Sequence, residues 1–361
     1  MAILMQASRQ WATRPADERF TSLLELRDSV RARKHSSAQK TLSSRSIMAR
    51  PADGGGLEIV GPGGVPVGVT NWGFGQVAER AAAPAGYLRT LPAELAADNI
   101  NYGLQKRDIE DVQLLLRRRP HGVELSAVNG PRYGRVWDAD VSDALVQRFG
   151  DGITGDFTVP GEFGKAVTVT NQNTTLYASD RDMFVFLADE KNRVEIPDRR
   201  NGKSGSLARG FFVWNSEVGA GTLGIATFLF DYACSNRIVW GAERFKEIRI
   251  RHTASAPDKF LHEVAPALER YSESATASIT DALAAARNAR VDNALEFLLK
   301  NRFSKSQAVA VMSAHEAEEG RPIETLWDVS TGITAHAKSV TYQDARIDLE
   351  RRAGDILDLA S

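Results

Sequence analysis

Residues 207–241 read LARGFFVWNSEVGAGTLGIATFLFDYACSNRIVWG, and the reading of this stretch decides the fold. Phe211, Phe212 and Trp214 precede the glycines at 219, 221 and 224, and Phe228, Phe230, Tyr232 and Trp240 follow them. Aromatics at this density are core residues, because each removes a large apolar area from water. Residues 208–216 read as a strand and the glycines as a tight turn. The apolar run that follows predicts a helix over about 222–236, whose N-terminus would suit an anion. Strands then resume to residue 252. There Arg249 and Arg251 alternate with Ile248 and Ile250, which puts both arginines on one face. A core element beside a basic face suggests a surface for a polyanion.

Downstream, Leu261, Val264 and Leu268, then Ile279, Leu283, Leu295 and Leu298, recur at helical spacing through residue 317. Residues 343–359 predict a last amphipathic helix. Upstream, 166–196 alternates apolar and polar residues as a hairpin-rich sheet does. The loop 197–206 is polar and basic. Residues 138–149 predict a helix capped by Asp138 or Asp140, and 122–129 a strand. Residues 73–85 predict a helix, and 92–116 one or two more. Pro92 suits a helix start, and Arg117, Arg118 and Arg119 suit a helix C-terminus. Residues 51–70 are turn-rich. In residues 1–50 ten basic side chains face four acidic ones, with an amphipathic helix over 17–34 and a flexible Ser/Lys/Arg stretch over 35–50. The fold class that results is α+β. A central antiparallel sheet with hairpins packs against helices, with a helical C-terminal region and a flexible basic N-terminal arm. The expected spans are 1–70 for the arm and linker, 71–256 for the core and 257–361 for the helical region.

The 361 residues are 43% hydrophobic and 25% charged, with a net charge of −1. That is ordinary for a globular protein, and it leaves any attraction to nucleic acid to local patches. The single Cys234 excludes an internal disulfide and a multi-cysteine zinc site. No run approaches the length of a membrane-spanning helix, and no basic n-region opens the chain.

Three basic patches stand out. Arg199, Arg200 and Lys203, then Arg209, flank a loop in which Gly202 would let phosphates approach the backbone. Lys203-Ser204 resembles the end of a phosphate loop, but Pro197 stands where the motif needs its first glycine. Arg244, Lys246, Arg249 and Arg251 lie on or near one strand. Arg132, Tyr133 and Arg135 follow a turn, where an aromatic between two cations could stack a base. The six histidines lack metal-ligand spacing, and no cofactor is expected. Asp180, Asp182, Asp189 and Glu190 are the carboxylates a Mg²⁺-dependent nuclease would use.

Four segments carry a resemblance to a known family. They are PAGYLRTLPAELAADNINYGL (84–104), VNGPRYGRVWDADVSDAL (128–145), residues 210–241, and TLWDVSTGITAHAKSVTYQDARIDLERR (325–352). The chain resembles the phage/plasmid-like proteins that carry domain of unknown function 932. That resemblance implies a mobile-element setting and a bacterial cytoplasm, and no catalytic residue. The strand-hairpin-strand-helix centre is also loosely similar in architecture to Rad52-like single-strand annealing proteins. The expectation is therefore a homo-oligomeric protein that binds single-stranded DNA, in annealing or as a recombination accessory, without chemistry of its own and without contact with a membrane. The alternatives are a metal-dependent nuclease, and a regulatory or assembly protein acting through its C-terminal helices.

Overall fold

The computed structural model describes residues 15–159, 168–172, 174–199, 203–231, 236–238, 247–273, 277–340 and 343–360, the side chains of 198–199, 203, 230–231, 236–238, 247, 277–278 and 343–347 excepted. Helices α1 (Leu23–His35), α2 (Asn71–Arg80), α3 (Ala85–Leu88), α4 (Ala93–Lys106) and α5 (Asp138–Phe149) interleave with strands. Helices α6 (Ala256–Lys259), α7 (Ala265–Glu273), α8 (Ala277–Asn288), α9 (Ala294–Lys300), α10 (Lys305–Glu319), α11 (Leu326–Ser339) and α12 (Gln343–Leu357) follow the last described strand. The protein is α+β, with antiparallel hairpins packed on helices and a helical C-terminal region.

The deciding stretch is a hairpin. Strand β12 (Lys203–Asn215) pairs antiparallel with β13 (Leu223–Asp231), with Phe212 opposite Ala226 and Trp214 opposite Gly224. This corrects the helix expected over 222–236. Leu223 and Ile225 enter one apolar cluster, while Ala226 and Phe228 are buried on the other face. A strand buried on both faces shows no alternation, so its periodicity does not distinguish it from a buried helix. The glycines consequently serve close packing and not a helix start. A Cβ on Gly224 would run into the Trp214 ring, and one on Gly210 into the Phe228 ring.

On the other side of β12 lie β10 (Met183–Asp189) and β11 (Val194–Arg199). β9 (Leu176–Ala178) and β1 (Arg19–Phe20) extend the sheet beyond β10, with β8 (Phe157–Thr158) also on β10. Beyond β13 are β14 (Asn236–Ile238) and β15 (Glu247–Ile250). One face of this first sheet packs Val185, Leu187, Phe211, Val213 and Ile225 against α1, α5 and the π-helical turn joining α6 to α7. The other carries an aromatic row in which Tyr177, Phe184, Phe212 and Phe228 stack in succession. All four are buried, as core aromatics should be.

A second sheet runs in the order β2 (Ser37–Ser43), β6 (Asp111–Arg119), β7 (Gly122–Asn129), β5 (Pro66–Val69), β4 (Leu57–Val60), β3 (Met48–Pro51). Val77, Ile100 and Leu104 of α2 and α4 cover one face through Val112, Leu114 and Leu125. Two expectations change here. Residues 37–51, expected to be a flexible arm, supply two strands, and so the sheet draws on both sides of residue 70. Residues 111–119, expected to end a helix, are strand β6; Arg117, Arg118 and Arg119 are strand residues and cap nothing. Residues 1–14 lie outside the described part.

Helices α8–α12 form a bundle around Leu283, Leu298, Val311, Trp327, Ile333 and Leu349. It seats on Ile196, Leu207 and Leu229, at the ends of β11–β13 away from Trp214. Ser304 with Gln307 and Thr325 with Asp328 form capping boxes that start α10 and α11. Among the described residues no helix is long and apolar enough to cross a membrane.

Candidate nucleic-acid interface

The turn Gly130–Arg135 packs against residues 251–253. Tyr133 forms an isolated antiparallel bridge with Thr253. The Gly134 N–H donates to the His252 carbonyl at 3.1 Å, and the His252 Nδ1–H donates back to the Gly134 carbonyl at 3.1 Å. The approach requires glycine, because a Cβ at position 134 would overlap the Thr253 carbonyl. The His252 ring stacks on Tyr133 at 5.0 Å, and burial lowers its pKa to about 4. It is therefore neutral at physiological pH and contributes no charge to the surface.

Two members of this turn are engaged by the protein itself, and for the buried Arg135 this corrects the expected role. Tyr133 donates its hydroxyl to the Ser216 carbonyl at 2.9 Å, and burial pushes its phenol upward. Arg135 is buried under Tyr133 and Trp137. Its guanidinium donates to the Glu217 carbonyl, to Gln113 Oε1 at 3.0 Å and to Asn129 Oδ1 at 3.0 Å. Burial lowers its pKa to about 10, so it stays cationic while being closed to solvent. Arg135 cannot reach a phosphate in this conformation, and the half-buried Tyr133 ring is already stacked on His252.

Arg132 is exposed on the same turn. Arg249 and Arg251 are exposed on the paired side, while Ile248 and Ile250 pack inward against the first sheet. The Arg249 guanidinium lies 5.9 Å from the centre of the Trp214 ring. The bridge thus brings the turn that carries Arg132 alongside the segment that follows β15, more than a hundred positions away in sequence. Arg132 and Arg251 make no ion pair with a described residue.

The third patch does not join them. Arg209 is 6% exposed and inside the protein. Its Nε donates to Asp189 Oδ2 at 2.9 Å, and its other nitrogens donate to the carbonyls of Tyr271 at 3.1 Å and Ser272 at 3.3 Å. It pins α7 to β12 and is corrected to a structural residue. Arg199 and Lys203 are register partners at the far end of the β11–β12 hairpin. Through Gly224, Arg249 is level with Trp214, eleven residues along β12 from Lys203, or roughly 36 Å. The backbone positions of the two patches are thus separated by the length of the sheet. Arg200, Arg244 and Lys246 lie outside the described residues, as do the side chains of Arg199 and Lys203.

The carboxylates considered for Mg²⁺ are each engaged elsewhere. Asp189 holds Arg209 and Asn192, and Asp180 holds Arg119. Glu190 holds Arg193, and Asp182 accepts from Ser179 Oγ at 2.9 Å. A cleft of about 620 Å³ opens between the β4–β5 hairpin and α2–α4, lined in part by Glu58, Phe74, Arg89 and Glu124. None of the residues singled out in the sequence lines it.

Sequence reasoning missed a buried charge cluster that joins the two sheets. Arg117 of β6 donates to Glu217, whose other oxygen accepts the Asp138 N–H at 2.8 Å. Asp138 accepts from Asn215 at 2.7 Å and lies 3.7 Å from Arg33. Burial first, then the Glu217 charge, hold the Asp138 carboxyl well above its ordinary value, with Arg33 opposing. Both carboxylates are at most 2% exposed, so the cluster is closed to a substrate. The signal was present in Arg117, at an inward-facing position of a strand, but reading 111–119 as a helix concealed it.

No family model, no curated protein and no solved structure matches the chain.

Proposed function

We propose that the chain is a mobile-element protein that holds single-stranded DNA without catalysing a reaction on it, as an annealing or recombination-accessory protein of the bacterial cytoplasm does. The observation that supports this reading is that Arg249 and Arg251 are exposed at the end of β15, and that the Tyr133–Thr253 bridge packs the turn carrying the exposed Arg132 against the segment that follows them. Each guanidinium can take one backbone phosphate, and arginines two strand steps apart stand about 7 Å from one another. Such contacts neutralise phosphates and leave bases exposed, which is what annealing requires. The reading accounts for exposed arginines fixed on a buried, glycine-dependent scaffold.

The test is fluorescence anisotropy of labelled single- and double-stranded oligonucleotides against the full chain, from low to moderate salt. Binding of the single strand that weakens linearly with the logarithm of salt is expected. Absence of binding at low salt, or binding indifferent to salt, overturns the proposal.

A further inference from the structure

Strand β2 is the outermost strand of the second sheet, paired on one side with β6 and open on the other. The Arg118 N–H donates to Ser36 O and the Ser44 N–H to Glu110 O. In this register Ala38, Lys40 and Leu42 exchange backbone hydrogen bonds with β6. The backbone groups of Ser37, Gln39 and Thr41 consequently point away from the sheet. Among the described residues no backbone partner meets them. Residues 38–41 are exposed, and Lys40 is the only charge on the strand. An open seven-residue edge without proline, bulge or alternating charge is a template for another strand.

We propose that this edge pairs with β2 of a second copy of the chain, antiparallel across a two-fold axis. Three neutral polar residues whose free groups repeat at every second position are complementary to their own inverted copy. The register follows from two observations. Centring the axis on Lys40 would set two lysines directly opposite each other, which is unfavourable. Centring it on Thr41 would set Ser37 opposite Arg45, which lies beyond the strand in the 3-10 turn Ser44–Ser46. Centring it on Gln39 avoids both. Gln39 then faces its own copy, Ser37 faces Thr41 of the second copy, and Lys40 faces Ala38. Of the other described edges, β3 and β11 contain Pro51 and Pro197 and β1, β8, β14 and β15 are two to four residues long, so β2 finds its best match in itself.

Light scattering coupled to size exclusion tests this on the full chain. Wild type is expected at twice its 39.5 kDa, and Thr41→Pro at 39.5 kDa with an unchanged circular dichroism spectrum. That substitution deletes an N–H that β6 does not use. A second measurement does not depend on tolerance of proline. Gln39→Cys in a Cys234→Ser background should oxidise to a covalent dimer, because facing hydrogen-bonded positions lie about 5.5 Å apart, inside the disulfide window. A wild type that stays at the single-chain mass at every concentration, a Thr41→Pro variant that stays dimeric, or a dimer that Gln39→Cys fails to cross-link overturns the proposal. DNA binding is read separately, so failure of one proposal leaves the other standing.

Discussion

Arg209 and Arg251 carry the same side chain and have opposite fates. Arg209 is closed inside against Asp189, whereas Arg251 is exposed beyond the end of β15. Removing the cation from a buried pair leaves the carboxylate desolvated and unpaired. Arg209→Met should therefore cost about 3–5 kcal/mol in urea denaturation. Arg251→Ala should cost well under 1 kcal/mol by the same measurement, as exposed substitutions do. Equal costs for the two would contradict the burial assigned here.

Asp138 gives a second residue-scale test, through pH. Its carboxyl is raised in the folded chain, so the folded state takes up that proton at higher pH than the unfolded state does. Its stabilising contribution is fully present below the ordinary aspartate value near 3.8 and is lost as pH rises through the raised one. Asn carries no such proton. Comparing wild type with Asp138→Asn by denaturation at pH 7 and at lower pH should show wild type gaining relative to the variant on acidification. A difference that stays constant, or moves the other way, removes the raised Asp138 from the account.

At the scale of elements, β13 shows what packing demands and what the sequence conceals. Gly224 lies against the face of Trp214, across the strand pair. Gly224→Ala would force the indole aside, and overpacking of this kind costs about 1–3 kcal/mol. A thermal melt reads this directly; a helix over 222–236 would instead gain from the same substitution, because alanine favours helix over glycine. The apolar run 223–230 was legible as core but not as strand, since burial on both faces erased its period. Its aromatic and β-branched content, from Ile225 to Phe230, was the better guide. The same reading failed at 111–119, where three consecutive leucines and arginines satisfied helix and strand templates alike. By contrast, the helices up to residue 319, α5 among them, and α12 were legible from apolar residues at helical spacing, whereas α11 (Leu326–Ser339) was not, and α5 starts from Trp137 without the expected Asp138 or Asp140 cap.

For the whole molecule, the placement of the arginines rests on contacts that sequence order does not announce. No local pattern tells that Tyr133 meets Thr253, or that Lys203 and Arg249 fall at opposite ends of one sheet. Composition showed the arginines, and only the fold sorted them into interior anchors and exposed residues. Among the candidates whose side chains are described, Arg132, Arg249 and Arg251 stay exposed and are few enough to test together. The decisive measurement is the slope of the logarithm of single-strand affinity against the logarithm of salt, for wild type and for the variant carrying Arg132→Ala, Arg249→Ala and Arg251→Ala. Three phosphate contacts on a single strand predict a slope shallower by about 2 in the variant, with affinity lowered throughout. An unchanged slope in a folded variant would place the DNA elsewhere or remove it altogether.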